Sequence, residues 1–375
     1  MVQIERVDTR SKPEVRRFVD LPFRLYEGHP HWVPPLRRDM ALMLNRHKHP
    51  FYERSDAECY IGVRDGRDVG RLAVLDNRAY NDCHGTREAN FCCFDADDDQ
   101  EVADALFARA FEWARGRGLN RMVGPKGFSA FDGYGILVDG FEHRPMMTMT
   151  NYNLPYYGRL AQGVGLGKDI DFVSYHMEPS TFSLPDRMRR VADRVRAQGS
   201  LGVFPLDSKR ALFKAARRIG ETYNKAFVNN WEYYPLSSRE IDYLVEQLVL
   251  FANPRMIKLI RHGDDIVGFL FAFPDVSSAL QRARGRLTPW TIADVLLEAR
   301  RTSWVALNGA GILPEFQGRG GNALLYSEME RTMKGTRFHH GDLPQVAETA
   351  VQMRRDLAEL GAVPYKTHRI YVRDL

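Results

Sequence analysis

The stretch that decides the fold is Asn308 to Tyr326, NGAGILPEFQGRGGNALLY. Its apolar start reads as a strand ending at Leu313-Pro314, followed by a glycine-dense turn, Gln317-Gly318-Arg319-Gly320-Gly321. Ala323-Leu324-Leu325 then opens an apolar helix. Glycines let successive backbone N–H groups converge, and a helix N-terminus adds partial positive charge, so strand, turn and helix in this order make a cradle for an anion. Arg319 adds a full charge. The same turn also serves as a plain strand-to-helix connection, and its setting has to decide between the two readings.

Upstream lies a hairpin, Met256 to Arg261 and Ile266 to Phe273, around Gly263-Asp264-Asp265. Downstream come a strand at Gln345 to Thr349, a helix at Val351 to Leu360 and a closing strand at Tyr365 to Val372. Before the hairpin, Leu201 to Leu206 is strand-like and Asp207 caps a helix over Lys209 to Phe227. Ser237, with Glu240 three residues on, caps a second helix reaching about Ala252.

The first half repeats this order. A strand (Val2 to Thr9) and a helix (Lys12 to Gly28) lead to a hairpin, Cys59 to Val63 and Val69 to Leu75, about Asp65-Gly66. Ala89 to Phe94 is a further strand. Val102, Leu106, Ala110 and Trp113 then mark one face of a helix. Arg121 to Gly124, Gly135 to Val138 and Asp171 to His176 add short strands, with a helix at Pro155 to Gly163 between the last two. The simplest account is two αβ units of one order, 1–178 and 201–375, joined by an Arg-rich helix within 179–200, with an insertion at 277–301 in the second. Where the second unit carries Gln317 to Asn322, the matching junction of the first carries Asp95, Asp97, Asp98 and Asp99. Carboxylates there repel a pyrophosphate, so only the second unit is expected to hold one.

Composition narrows the function classes. The 375 residues carry a formal net charge of +5, with 44% hydrophobic and 27% charged residues, which describes an ordinary globular chain and excludes disorder. That excess is too thin to argue nucleic-acid binding, yet it permits contact with an anionic cofactor or a lipid surface. Cys59, Cys83, Cys92 and Cys93 show no CxxC spacing, so buried free thiols and no metal are expected. MVQIERVDTR lacks the apolar core of a secretory signal, and the longest apolar run, Ile266 to Phe273, falls far short of the ~20 residues a membrane helix needs. A cytoplasmic protein is expected, with peripheral contact at the inner membrane face open to it. MALML (Met40 to Leu44) and WTIADVLL (Trp290 to Leu297), both flanked by Arg, read either as amphipathic packing or as surface helices dipping toward lipid.

With these residues in view, the sequence resembles the GNAT acyltransferase superfamily, whose acyl-CoA pyrophosphate loop reads Gln/Arg-x-x-Gly-x-Gly/Ala between a central strand and a helix. Gln317, Gly320 and Asn322 fall on the three marked places, and Asn322 departs from the pattern. GPKGFSAFDGYGILVDGF, NNWEYYPL and PEFQGRGGNALLYSEM are similar to words of a bacterial group of tandem-domain GNAT-like proteins near the bacterial ceramide synthases, which N-acylate a long-chain base from an acyl thioester. The resemblance implies an α/β (α+β) fold of two GNAT-like domains, each a mostly antiparallel mixed sheet flanked by helices. It also implies acyl-CoA as co-substrate, held by Gly311, Ile312, Leu313, Gln317, Gly318, Arg319, Gly320, Gly321 and Asn322, and an amine acceptor, which in that group is a lipid.

In this family the amine attacks the thioester directly, and an alkylammonium of pKa ~10 must first lose a proton. Glu348, near the end of the penultimate strand, is the first candidate base and reads equally well as a surface glutamate. His339 and His340 come next, although HHGD also reads as an exposed turn. The family's Asn and Tyr positions at the last helix fall on Ala350 and Leu357, which excludes a tyrosine acid there. Tyr223, Asn224, Asn229, Asn230, Trp231 and Glu232, together with Asn308, are candidate acceptor contacts; a packed helix end is the other reading of the first six. Two other functions stay open: a Fem-like aminoacyl transferase, which needs no pyrophosphate loop, and a non-catalytic acyl-CoA sensor.

Overall fold

The computed structural model describes residues 1–375 apart from 130–131, 148, 229–232 and 250–251. The chain begins β1 (Gln3–Arg6), α1 (Lys12–Leu25), α2 (Arg37–Met43), β2 (Asp56–Arg64), β3 (Arg67–Asp76), α3 (Arg78–His84) and β4 (Glu88–Ala96). It continues with α4 (Gln100–Arg115), β5 (Arg121–Gly124), β6 (Ile136–Asp139), α5 (Tyr157–Gly163) and β7 (Gly167–Met177). Then follow α6 (Asp186–Gln198), β8 (Gly202–Val203), α7 (Lys209–Ala226), α8 (Ser238–Val249), β9 (Ile257–His262) and β10 (Asp265–Pro274). The last elements are α9 (Ser277–Ala283), α10 (Pro289–Arg301), β11 (Trp304–Ile312), α11 (Gly321–Met333), β12 (His340–Ala347), α12 (Val351–Glu359) and β13 (Val363–Asp374).

Two compact units result: Met1–Val173 with Val276–Val295 and Tyr365–Leu375, and Ser174–Asp275 with Leu296–Pro364. Most of the segment read from sequence as an insertion in the second half, and the closing strand, are thus counted in the first unit. In that unit β1, β2, β3, β4, β5 and β13 lie in this order, and β6 also pairs with β13. All these pairs are antiparallel except β4 with β5, whose parallel pairing needs the crossover that α4 supplies. Val102, Leu106, Phe107, Ala110 and Trp113 of α4 are buried with Phe91 and Phe94 of β4, as the helical spacing anticipates.

The second unit has the order β8, β9, β10, β11, β12, again antiparallel except for one parallel pair, β11 with β12, bridged by α11. α7 covers β10 with Leu212, Ala215 and Ile219 buried. The capping box that begins α8 is formed: Glu240 accepts from the Ser237 N–H at 2.7 Å, and Ser237 Oγ accepts from the Glu240 N–H at 3.2 Å. Each unit is therefore a mostly antiparallel mixed sheet with flanking helices.

Two local readings change. β12 begins at His340, not Gln345, because Trp304, Val305 and Ala306 of β11 pair with His340, Gly341 and Asp342. Of the four free cysteines, Cys59 and Cys92 are buried, Cys93 is half-buried and Cys83 is exposed. No helix among the described residues is long and apolar enough to cross a membrane.

Candidate active site

β11 and β12 pair in register only over Trp304↔His340 to Ala306↔Asp342. Three residues beyond the last pair, both strands carry a left-handed residue: Gly309 (φ +93°) in β11 and Gln345 (φ +60°) in β12. On its other edge β11 bulges at the same level, since Leu270 pairs with Ala310 but Ala272 pairs with Leu307, leaving Asn308 and Gly309 opposite the single residue Phe271. A bulge bends its strand and re-aims its groups, so a gap opens between β11 and β12 where Asn308 sits. Gln345 is a non-glycine residue held at positive φ at this level. The sequence carried no signal for it, because its strain exists only in the paired strand.

The backbone donors of this gap follow from register. The Leu313 N–H donates to the Val267 carbonyl at 2.9 Å, which turns Leu313 and, by alternation, Gly311 toward β10. Ala310 and Ile312 therefore direct their N–H groups to the β12 side. Of Gly311, Ile312 and Leu313, all expected to help hold acyl-CoA, Ile312 is the one whose N–H points to the β12 side. Gly311 has a packing role: a Cβ there would lie 2.8 Å from the Phe269 ring and 3.2 Å from Ala226.

β11 leads into the glycine turn. The Gln317 side chain donates to the Ile312 carbonyl at 3.2 Å and ties the turn back to the strand end. Gly318 (φ +72°) and Gly320 (φ +83°) are both left-handed, and α11 begins at Gly321 with no side-chain cap on its first N–H groups. Alternating left-handed glycines in front of an uncapped helix turn several N–H groups toward one concavity, the arrangement that binds phosphate. Arg319 is exposed, its guanidinium 5.2 Å from the centre of the Phe316 ring, and Asn322 lies in the first turn of the helix.

α6 supports this turn from the side. A Cβ on Gly320 would stand 2.8 Å from Val191 Cγ1 and from Val195 Cγ2, both on α6. Arg189 pairs with Glu330 of α11 at 3.1 Å, and Arg196 donates to Ser327 and Glu328 at 2.8 and 2.9 Å. The Arg-rich segment that reads from sequence as a helix joining the two units thus packs against α11 beside the turn.

The remaining candidates separate. Glu348 is half-buried in the turn after β12, six residues beyond the last paired residue, and its carbonyl accepts from Arg354 at 3.2 Å. Arg354 also donates to the Tyr175 hydroxyl at 3.1 Å. His340 sits at the other end of β12, about 25 Å from Glu348 at the usual strand rise, so the two do not act on one atom. Its ring contacts His176 at 3.1 Å and stacks on Trp304. Burial and then the neighbouring His176 hold its pKa below the ordinary value. Tyr223 lies against Phe227 and Phe269, and burial pushes its hydroxyl up to about 12. Both amide atoms of Asn224 engage the Leu236 backbone, at 2.9 and 3.0 Å. Asn229, Asn230, Trp231 and Glu232 fall outside the described residues.

The first unit repeats the strand geometry without the turn. β4 pairs with β5 over three residues to Asn90, and three residues on Cys93 is left-handed (φ +51°) beside a bulge, as Gly309 is in β11. From there the copies diverge: three residues connect β4 to α4, against eight from β11 to α11. Asp99 caps α4 by accepting from the Glu101 N–H at 2.9 Å, and Asp95 lies within β4, paired to Arg71 at 2.7 Å. The carboxylates are neutralised by arginines, so a shortened connection and a self-capped helix, more than repulsion, remove the cradle here.

No family model matches the sequence. At the level of the fold, the chain superposes over its full length on a tandem GNAT protein from the clavulanic acid biosynthesis pathway, covering 98% of that chain with a TM-score of 0.55 at 14% identity. The chain has the fold of a tandem GNAT protein. This tandem GNAT-like chain is also 26% identical over 376 residues to a bacterial ceramide synthase of Caulobacter vibrioides, spanning 98% of this chain and 97% of that protein. Protein YghO of Escherichia coli K12 is 24% identical over 373 residues, 97% of this chain and 94% of that protein.

Proposed function

We propose that the protein is an acyl-CoA-dependent N-acyltransferase whose acceptor is a long-chain amine of the sphingoid type, acting in bacterial ceramide or lipid synthesis. The observation that carries the reading is the uncapped α11 N-terminus behind Gly318 and Gly320, placed at the end of a strand that parts from its neighbour. The turn from Gln317 to Asn322 takes the pyrophosphate, with Arg319 adding charge. The pantetheine follows the gap between β11 and β12, where the outward N–H groups of Ala310 and Ile312 are the donors for the thioester oxygen. The acceptor amine attacks the carbonyl carbon; the C–N bond forms, the C–S bond breaks, and CoA leaves as a thiolate that takes up a proton. Glu348, in the turn where β12 ends, is the base we assign to the ammonium. Residues 201–375 then form the acyl-CoA-binding half, and 1–178 a degenerate copy. The sphingoid preference rests on the similarity to the ceramide synthase.

Thiol release from palmitoyl-CoA, followed with and without sphinganine, tests the reading. Release that depends on the amine is expected, with Glu348→Gln lowering kcat. Amine-independent release would make the protein a thioesterase. Binding of palmitoyl-CoA with no release at any acyl length or amine would make it a sensor.

A further inference from the structure

The first unit contains an open cleft of about 1420 Å³ at some distance in sequence from the glycine turn, lined by residues of β1, α1, α2 and the segment before α10. Its 19 lining residues include eight Lys or Arg against three Asp or Glu, an excess of five that equals the net charge of the whole chain. The three acids are already engaged: Glu58 with Arg6, Asp8 with Arg10, and Asp20 with both Arg16 and Arg37. Lys12, Arg38 and Arg286 line the cleft without an ion pair among the described residues, although the Asp39 carboxylate lies within electrostatic range of Arg38. The floor is apolar, with Val7, Val19 and Cys59 buried.

Beside this cleft the chain displays a large exposed indole. The turn before α10 is pinned to α1 and α2. The Arg37 N–H donates to the Gly285 carbonyl at 2.9 Å, and Gly285 (φ +73°) packs so closely that a Cβ would lie 2.4 Å from the Phe23 ring. Thr288 then caps α10 by accepting from the Thr291 N–H at 3.2 Å. Arg286 lines the cleft, Leu287 follows at 37% exposure, and Trp290 in the first turn of α10 is 85% exposed. An indole left in water on a rigid, capped turn next to unpaired cations is the arrangement that seats at a lipid headgroup boundary.

We propose that the first unit docks on anionic bilayers, with lipid phosphates in the cleft against Lys12, Arg38 and Arg286 and with Trp290 and Leu287 inserted at the interface. A free polyanion would satisfy the cations and leave Trp290 and Leu287 exposed, which is why a bilayer is the occupant argued here. The inference stands apart from the reaction assigned to the second unit, since docking is measured without substrate.

The test is co-sedimentation of the full chain with vesicles of phosphatidylcholine alone or with phosphatidylglycerol added, at low and high salt. Binding to the anionic vesicles only, weakened by salt, is expected. Each neutralisation, Lys12→Gln, Arg38→Gln or Arg286→Gln, weakens it about fivefold and the triple variant about a hundredfold, at the usual contribution of a basic residue near such a surface. Trp290→Ser also weakens binding, and a blue shift of indole emission on vesicle addition is lost in Trp290→Phe. Circular dichroism of each exposed-residue variant establishes that it is folded. Equal binding to both vesicle types, no binding to either, or indifference to the triple variant overturns the proposal. Heparin binding as tight as vesicle binding, with Trp290→Ser silent in both, overturns it in favour of a soluble polyanion.

Discussion

Replacing Gly320 by alanine tests whether α6 shapes the anion-binding turn. At φ +83° an alanine costs about 1–2 kcal/mol in backbone strain. Its Cβ would also sit 2.8 Å from Val191 Cγ1 and Val195 Cγ2, both on a helix held to α11 by Arg189 and Arg196, so the valines cannot simply swing away. Overpacking of that kind adds about 1–3 kcal/mol. Gly318→Ala is the internal control: its φ of +72° carries the same backbone cost, but a Cβ there meets open space. Gly320→Ala should therefore lose about 1–3 kcal/mol more than Gly318→Ala, seen as a melting temperature lower by several degrees. Gly318→Asn should fall less than Gly318→Ala, because asparagine tolerates the left-handed region. In a denaturation cycle, Val195→Ala should partly rescue Gly320→Ala, with a coupling of at least about 0.5 kcal/mol. Equal losses at the two glycines, or no coupling with Val195, would refute the packing argument.

Three further outcomes follow from the structure. His368 is fully buried with Nε2 on the Asn151 carbonyl at 2.9 Å, and burial, then Lys366, lowers its pKa to about 3. The unfolded chain takes that proton first, so the stability His368 contributes is complete above about pH 6.5 and is lost as pH falls toward 3, at about 1.4 kcal/mol per pH unit. Denaturation at pH 7 and pH 5 should show wild type losing about 2 kcal/mol more than His368→Gln; equal losses would remove His368 from the account. Arg71→Met strands Asp95, whose side chain is 13% exposed, and should cost about 3–5 kcal/mol of stability while leaving palmitoyl-CoA affinity unchanged. A calorimetric loss of affinity in a folded Arg71→Met protein would return ligand binding to the first unit. Asn224→Ala removes two bonds to the Leu236 backbone and should lower stability by about 1–3 kcal/mol; an unchanged melting temperature would make that amide a candidate for substrate contact only.

Much of the architecture was legible because local chemistry agreed with the fold. The helical spacing of Val102, Leu106 and Ala110, the capping box at Ser237 and Glu240, and the Gly263-Asp264 hairpin all form where the residues place them. The glycine turn was legible for the same reason: positive φ at Gly318 and Gly320 is a property that residue type alone permits. What depended on a distant partner was not. β12 extends back to His340 only because Trp304 pairs with it, and Asn224 spans to Leu236 across twelve residues. The strained Gln345 has no sequence signature, since its conformation is imposed by the strand that holds it.

The sequence by itself determined that one αβ order is written twice and that only the second copy has the glycines for an anion cradle, because periodicity, caps and glycine placement act within a few residues. Tertiary structure decided the rest. It counts 276–295 and the closing strand with the first unit, turns Ile312 rather than Leu313 toward the gap, and separates His340 from Glu348 along one strand. Hydrogen-bond register and packing are relations between residues far apart in the chain, and no local pattern encodes which partner a strand edge or a carboxylate will meet.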